Sequence, residues 1–223
     1  MSSAPNRSGS APYRHVPNPL ITDYELRKSL EQHINFDVYG TTGTFTCGTG
    51  CRARNGQTCD RLCRDMIAKK YKFYFAFEPS LCKYWATEKL FTFLQRPIVP
   101  VFWGGTNVSL IAPPHSFINA LDFYTVKDLT DYLKYLDQNV TAYNEYFKWK
   151  QHYGVVAEIN SMKLSFCSLC AHLNNDNRSS SYENLHNWWT NEQCRDPNSA
   201  EIRTFLNISS DVKLRFPADG EEF

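Results

Sequence analysis

Between positions 78 and 89 the chain places two carboxylates, Glu78 and Glu88, a hydroxyl, Thr87, and an ammonium, Lys89. These are the groups that accept hydrogen bonds from ribose and sugar hydroxyls and that neutralise phosphate oxygens. Taken alone, such glutamates are usually surface acids or helix caps. What singles them out is Lys89 beside a helix start, followed by Gly104-Gly105, an arrangement suited to a diphosphate. No D-x-D pair of acids occurs in the chain, so the usual Mg²⁺ or Mn²⁺ grip on a sugar diphosphate has no candidate ligands, and the positive groups must do that work. His15, His33, His115, His152, His172 and His186 are scattered, none at a zinc-like spacing with the cysteines. Cys47, Cys51, Cys59 and Cys63 have short spacings open to two readings, disulfides or a metal knuckle.

The segments around these residues must position them. Residues 72–77 (KFYFAF) are too short for an independent helix and end on Glu78-Pro79, where Pro79 supplies no ladder N–H; they predict a strand that stops at an acid. Thr87 then opens an apolar helical stretch through Leu90, Phe91, Phe93 and Leu94, which Arg96-Pro97 ends before a second strand at 98–103. That is a βαβ crossover of about 30 residues. The loops after its strands share one edge of the sheet, so Glu78, Lys89 and Gly104-Gly105 converge on the crevice where open α/β folds bind ligands.

Upstream, Thr22 and Glu25 form a capping box before Leu26, Leu30 and Ile34, and residues 35–39 follow as a strand closed by Gly40. A further helix carries Cys59, Cys63, Met66 and Ile67 on its apolar side. Thr125 and Asp128 cap another, with Val126, Leu129, Leu133 and Leu136 as its stripe. Tyr143, Tyr146, Phe147 and Trp149 recur at helical spacing, residues 161–173 are amphipathic and carry Cys167-Ser168-Leu169-Cys170, and 184–189 resume a helix; past Pro197 there is no pattern. Helices alternating with short apolar strands predict an α/β fold, a Rossmann-like parallel sheet with helices on both faces and a C-terminal helical extension. The expected division is a flexible arm at 1–20, a ligand-binding domain at 21–154 and the extension at 155–223.

A net charge of +1 gives no field for polyphosphate, which excludes nucleic acid as a natural partner. No apolar run approaches the ~20 residues of a membrane helix, and the first residues have no apolar centre for a signal peptide. Eight cysteines and five sequons, at Asn6, Asn107, Asn139, Asn177 and Asn207, nevertheless favour an oxidising secretory compartment. The two observations together predict a longer protein with a front end ahead of this stretch. Asn139, just past a capped helix, is the preferred glycan site.

At residues 71–105, YKFYFAFEPSLCKYWATEKLFTFLQRPIVPVFWGG, the chain resembles the α1,3-fucosyltransferases of glycosyltransferase family 10, which usually carry a close variant of FAFENSxCxDYxTEKL followed by PVVxGG and APPxSxI. The resemblance extends upstream to Asp37-Val38-Tyr39-Gly40 and downstream through Ala112-Pro113-Pro114-His115-Ser116-Phe117-Ile118, Asp131-Tyr132-Leu133-Lys134-Tyr135-Leu136, Tyr146-Phe147-Lys148-Trp149-Lys150 and Cys167-Ser168-Leu169-Cys170. Order and spacing are kept over residues 21–195, which chance motif matches do not achieve.

The resemblance implies the C-terminal, GDP-fucose-binding half of a two-domain GT-B enzyme that transfers fucose to a GlcNAc-containing glycan with inversion and without metal or other cofactor. It implies that Glu78 orders the loop or the fucose side, that Glu88 meets ribose, that Lys89 meets phosphate, and that Tyr84, Trp85, Thr87, Gly104 and Gly105 complete the donor site. The general base would sit in an acceptor-side domain ahead of this stretch, to which Cys167 and Cys170 would cross-link, and an N-terminal membrane helix would hold the whole in the Golgi as a type II protein. Two departures stand out: Pro79 replaces the usual Asn, removing an amide donor, and Tyr84-Trp85 replaces Asp-Tyr. A non-catalytic GDP-sugar or glycan-binding relative, and a secreted module that keeps only the fold, are the rival readings. Cys47, Cys51, Cys59, Cys63, Cys82, Cys167, Cys170 and Cys194 are all read as structural, with their pairing left open.

Overall fold

The segment FYFAF forms a strand because aromatic side chains pack well on a pleated surface, and here every one of them is buried. Burial on both faces is the mark of a parallel strand covered on two sides. In the computed structural model, which describes residues 12–14, 21–39, 45, 59–156, 159–176, 178–179 and 181–209, the elements run β1 (Pro12–Arg14), α1 (Ile21–Glu31), β2 (Asp37–Tyr39), α2 (Cys59–Lys70), β3 (Phe73–Phe77), α3 (Glu88–Leu94), β4 (Val99–Trp103), β5 (Ile118–Asn119), α4 (Val126–Gln138), α5 (Val140–Glu145), α6 (Ile159–Asn175), α7 (Leu185–Asn187) and α8 (Ala200–Leu206). The sheet has the order β2-β1-β3-β4-β5 with every pairing parallel. This is the doubly wound order whose switch point, between β1 and β3, opens a ligand crevice at the carboxyl ends of the strands. The expected α/β class therefore holds.

The alternation of β3 and β4 sorts the core into two layers. Phe73, Phe75, Phe77, Val99, Val101 and Trp103 face α1, α4, α5 and α8, whereas Tyr74, Ala76 and Phe102 face α2 and α3. Register is Phe73 opposite Val99 through Phe77 opposite Trp103. Pro100 interrupts a central strand without cost to the ladder. Val99 donates toward β3, so the missing N–H of Pro100 points toward β5, whose pairing begins only at Val101.

Buried charges fasten the layers. Lys72, 4% exposed, pairs with Asp137 at 2.8 Å, and the Tyr143 hydroxyl donates to the Lys72 carbonyl at 2.7 Å, locking the end of α4 and α5 to the start of β3. Arg96 donates to Asp65 at 2.9 Å and to the Thr92 carbonyl at 2.6 Å, tying the end of α3 to α2.

α4 begins where the capping box places it, with both reciprocal bonds of Thr125 and Asp128 formed. Three elements were not legible: the short edge strand β5, β1 and α8. Residues 12–14, expected within a flexible arm, form β1 inside the sheet. α8, in the stretch without pattern, buries Ile202, Phe205 and Leu206 in the main core, with Phe205 stacked on Trp103 at 5.1 Å.

Candidate functional site

β3 runs out at Glu78, whose backbone N–H extends the ladder to the Trp103 carbonyl at 2.8 Å. The side chain is fully buried, and a buried carboxylate must be supplied with donors. The loop that follows supplies them. Thr87 donates to Oε1 from its backbone N–H at 2.7 Å and from its hydroxyl at 2.8 Å, and Lys89 Nζ reaches Oε2 at 3.2 Å. Thr87 occupies the N-cap of α3, yet its hydroxyl makes no capping bond. The carboxylate has taken it, so the entry of α3 is pinned to the end of β3.

Lys89, with its side chain 12% exposed, also lies 3.4 Å from the Thr87 hydroxyl. An ammonium has three donors, and these two contacts leave one over. α3 has seven residues and an exposed Glu88 in its first turn, so its dipole is small and partly offset. The positive charge of this edge resides on Lys89 rather than on a helix terminus.

Gly104 and Gly105, expected to line a ligand, give room to the protein's own loop. A Cβ on Gly105 would lie 2.1 Å from the Leu81 carbonyl oxygen, and one on Gly104 would lie 2.5 Å from the Phe102 ring and 3.3 Å from Glu78 Cγ. The backbone of 81–82 therefore crosses directly over Gly105, and this close approach explains the glycine. Tyr84 is 79% exposed and held at φ 64°, a left-handed conformation unusual for a non-glycine residue. Trp85 is 37% exposed. Glu78, Thr87, Lys89, Gly104 and Gly105 thus form one cluster, with Tyr84, Trp85 and Glu88 on its outer side.

Residues 18–188 match the model of the C-terminal part of glycosyltransferase family 10, the fucosyltransferases. The chain belongs to this family. α-(1,3)-fucosyltransferase C of Drosophila melanogaster is 36% identical over 173 residues, covering 76% of this chain and 37% of that protein. The α-(1,3)-fucosyltransferase fut-1 of Caenorhabditis elegans is 37% identical over 150 residues, 64% of this chain and 33% of the relative. Among solved structures, an α1,3-fucosyltransferase with GDP-fucose superposes with a TM-score of 0.55 at 22% identity, covering 80% of this chain and 51% of that one. The chain thus spans a third to two fifths of those two relatives.

Beyond residue 188, where the family match ends, the family 10 chain folds back over its own site loop. Cys82 and Cys194 form a disulfide. On either side of it, Lys83 donates to the Gln193 carbonyl at 2.7 Å and Arg195 to the Leu81 carbonyl at 3.0 Å. This strap was invisible in sequence, because nothing local in either segment names the other. Cys63 is also disulfide-bonded, which removes it from a thiolate metal knuckle. Cys47 and Cys51 lie outside the described residues, as does the side chain of Cys59. Cys167 and Cys170 are free and exposed on α6. Among the described residues no three His, Cys, Asp or Glu side chains gather as metal ligands, and no helix is long and apolar enough to cross a membrane.

Of the sequons, Asn6 and Asn177 lie outside the described residues. Asn139 is occupied, its Oδ1 accepting from Ala142 N–H at 3.0 Å and its Nδ2 donating to the Tyr135 hydroxyl at 3.1 Å. Asn107, with no capping bond from its side chain, and Asn207, the left-handed C-cap of α8, are both exposed, so both side chains are more open than that of Asn139.

Proposed function

We propose that this chain is the donor-binding part of an α1,3-fucosyltransferase that moves fucose from GDP-fucose to a GlcNAc-containing glycan with inversion. The observation that carries this reading is the Glu78–Thr87–Lys89 cluster at the carboxyl edge of a doubly wound sheet, in a chain of this family. Its relatives bear the name α1,3-fucosyltransferase, and a solved neighbour holds GDP-fucose.

In the proposed reaction an acceptor oxygen attacks the anomeric carbon, the bond from that carbon to the β-phosphate oxygen breaks, and GDP departs with the electron pair. Lys89, held in place by Glu78, stabilises the charge that develops on the phosphate. Glu88 meets the ribose hydroxyls, and Tyr84 and Trp85 border the donor. Glu78 serves by ordering the loop, since its oxygens already accept from Thr87 and Lys89. The acceptor proton passes to a general base, which we place outside the matched stretch, given that the match covers 37% of the Drosophila relative. No metal or other cofactor enters the proposed step. The partners are GDP-fucose and a glycan acceptor. Two modes of support, the Cys82–Cys194 bridge and the bonded Cys63, favour the oxidising lumen of the Golgi, with a type II anchor carried by the longer protein.

Isothermal titration of the chain with GDP and GDP-fucose, without added metal, tests the reading. Charge-assisted contacts contribute about 1.5–3 kcal/mol, so Lys89→Ala is expected to weaken GDP binding by roughly one to two decades. An unchanged affinity overturns the assignment.

A further inference from the structure

Four aromatic rings form a row along the strap. Tyr182 and Trp188 have centroids 4.5 Å apart, Trp188 and Trp189 6.0 Å, and Trp189 and Trp85 5.7 Å, with successive planes inclined by 42°, 47° and 52°. At these inclinations no ring covers the whole face of its neighbour. Trp85 and Tyr182 are 37% and 56% exposed, and both other tryptophans are partly exposed. The Cys82–Cys194 bridge and the backbone bonds beside it fix the row to the loop that carries Trp85, two residues before Thr87. Trp188 and Trp189 open a π-helical turn, Trp188–Gln193, that also presents Asn191 and Glu192 to solvent; such turns occur frequently at functional sites.

Aromatic faces interleaved with amide and carboxylate side chains match one ligand chemistry closely. A pyranose has an apolar C–H face, which the negative face of an indole attracts, and a rim of hydroxyls that amides and carboxylates bind. The exposed face of α6, by contrast, carries one ring, Phe166, among Met162, Leu164, Leu169 and Leu173. We propose that Trp85, Trp188 and Trp189 form a stacking platform for a pyranose of the glycan acceptor, with Asn191 and Glu192 bonding its hydroxyls. The inference rests on the proposed function, because it is the donor loop beside it that makes an acceptor sugar the expected occupant.

The experiment titrates the chain with N-acetyllactosamine by ligand-observed NMR and with GDP by calorimetry. The wild-type chain is expected to bind the sugar, with saturation transferred from indole protons to the sugar C–H groups. Trp189→Ala is expected to weaken sugar binding by about tenfold and to leave GDP affinity unchanged, while Trp189→Phe, which keeps a ring, retains most of it. Absence of sugar binding or of indole transfer in the wild-type chain overturns the platform, whatever becomes of the Trp189→Ala fold. So does a Trp189→Ala chain that keeps its sugar affinity, or one that loses GDP instead, which would give the ring to guanine. Failure to bind GDP overturns the donor reading separately.

Discussion

α4 and α6 are both amphipathic helices, and their side chains meet opposite fates. α4 buries Val126, Leu129, Leu133 and Leu136 against the sheet and α1, where each large aliphatic side chain contributes about 1.5–3 kcal/mol by leaving water. α6 is longer, at 17 residues, and leaves Met162, Leu164, Phe166, Leu169 and Leu173 between 51% and 71% exposed. Residues 162, 166, 169 and 173 follow one face, so the pattern in the sequence is real. Periodicity declares that a helix has an apolar side. Whether that side stabilises anything depends on a partner surface, which the sheet provides for α4 and which no described element provides for α6.

Substitutions in the two regions sharpen or break this contrast. The largest expected effect belongs to the strap: the Cys82–Cys194 bridge spans a separation of 112 residues, and closing a loop of that size restricts the unfolded chain by about 4–5 kcal/mol. Urea denaturation of Cys194→Ser is expected to show most of that loss, and a loss under about 1 kcal/mol would mean that the strap docks without help from its bridge. Leu133→Ala, in the α4 stripe, is expected to cost about 2–5 kcal/mol with an unchanged dependence on urea.

Glu78→Gln keeps the shape of the buried side chain and removes its charge, so Lys89 loses its partner. Since Lys89 retains some exposure, the expected cost is about 1–3 kcal/mol, read by the same denaturation. It should be accompanied by weaker GDP binding, because Thr87 and Lys89 are no longer fixed. The smallest effect is expected at α6, where Leu169→Ala should change stability by no more than about 0.5 kcal/mol. A cost comparable to that of Leu133→Ala would show that α6 has a partner within the chain and would remove the contrast.

The grouping of the polar residues was legible because they are close in sequence. Glu78, Thr87 and Lys89 lie on one loop and one helix start, and the strand ending at an acid, the helix stopped at Arg96-Pro97 and the capped α4 all follow from local rules. What those residues do to one another was not legible. The sequence shows a carboxylate near a cation; the fold shows that the carboxylate is buried and its oxygens are engaged by the loop. The paired glycines announced a close approach, and only the fold disclosed that the backbone of Leu81 and Cys82 comes up against Gly105 and the Phe102 ring and Glu78 against Gly104.

By itself, then, the amino-acid sequence determined the family, the parallel α/β architecture and the identity of the clustered polar residues, because each is encoded in spacing over a few to some tens of positions. The tertiary structure alone decided that residues 12–14 join the sheet, that α8 closes the core over Trp103, that Cys82 selects Cys194, and that one amphipathic helix is buried and another exposed. Those outcomes depend on which distant surfaces meet. The free energy of such meetings comes from area removed from water and from donors brought to buried acceptors, quantities that belong to pairs of segments and leave no periodic trace in either one.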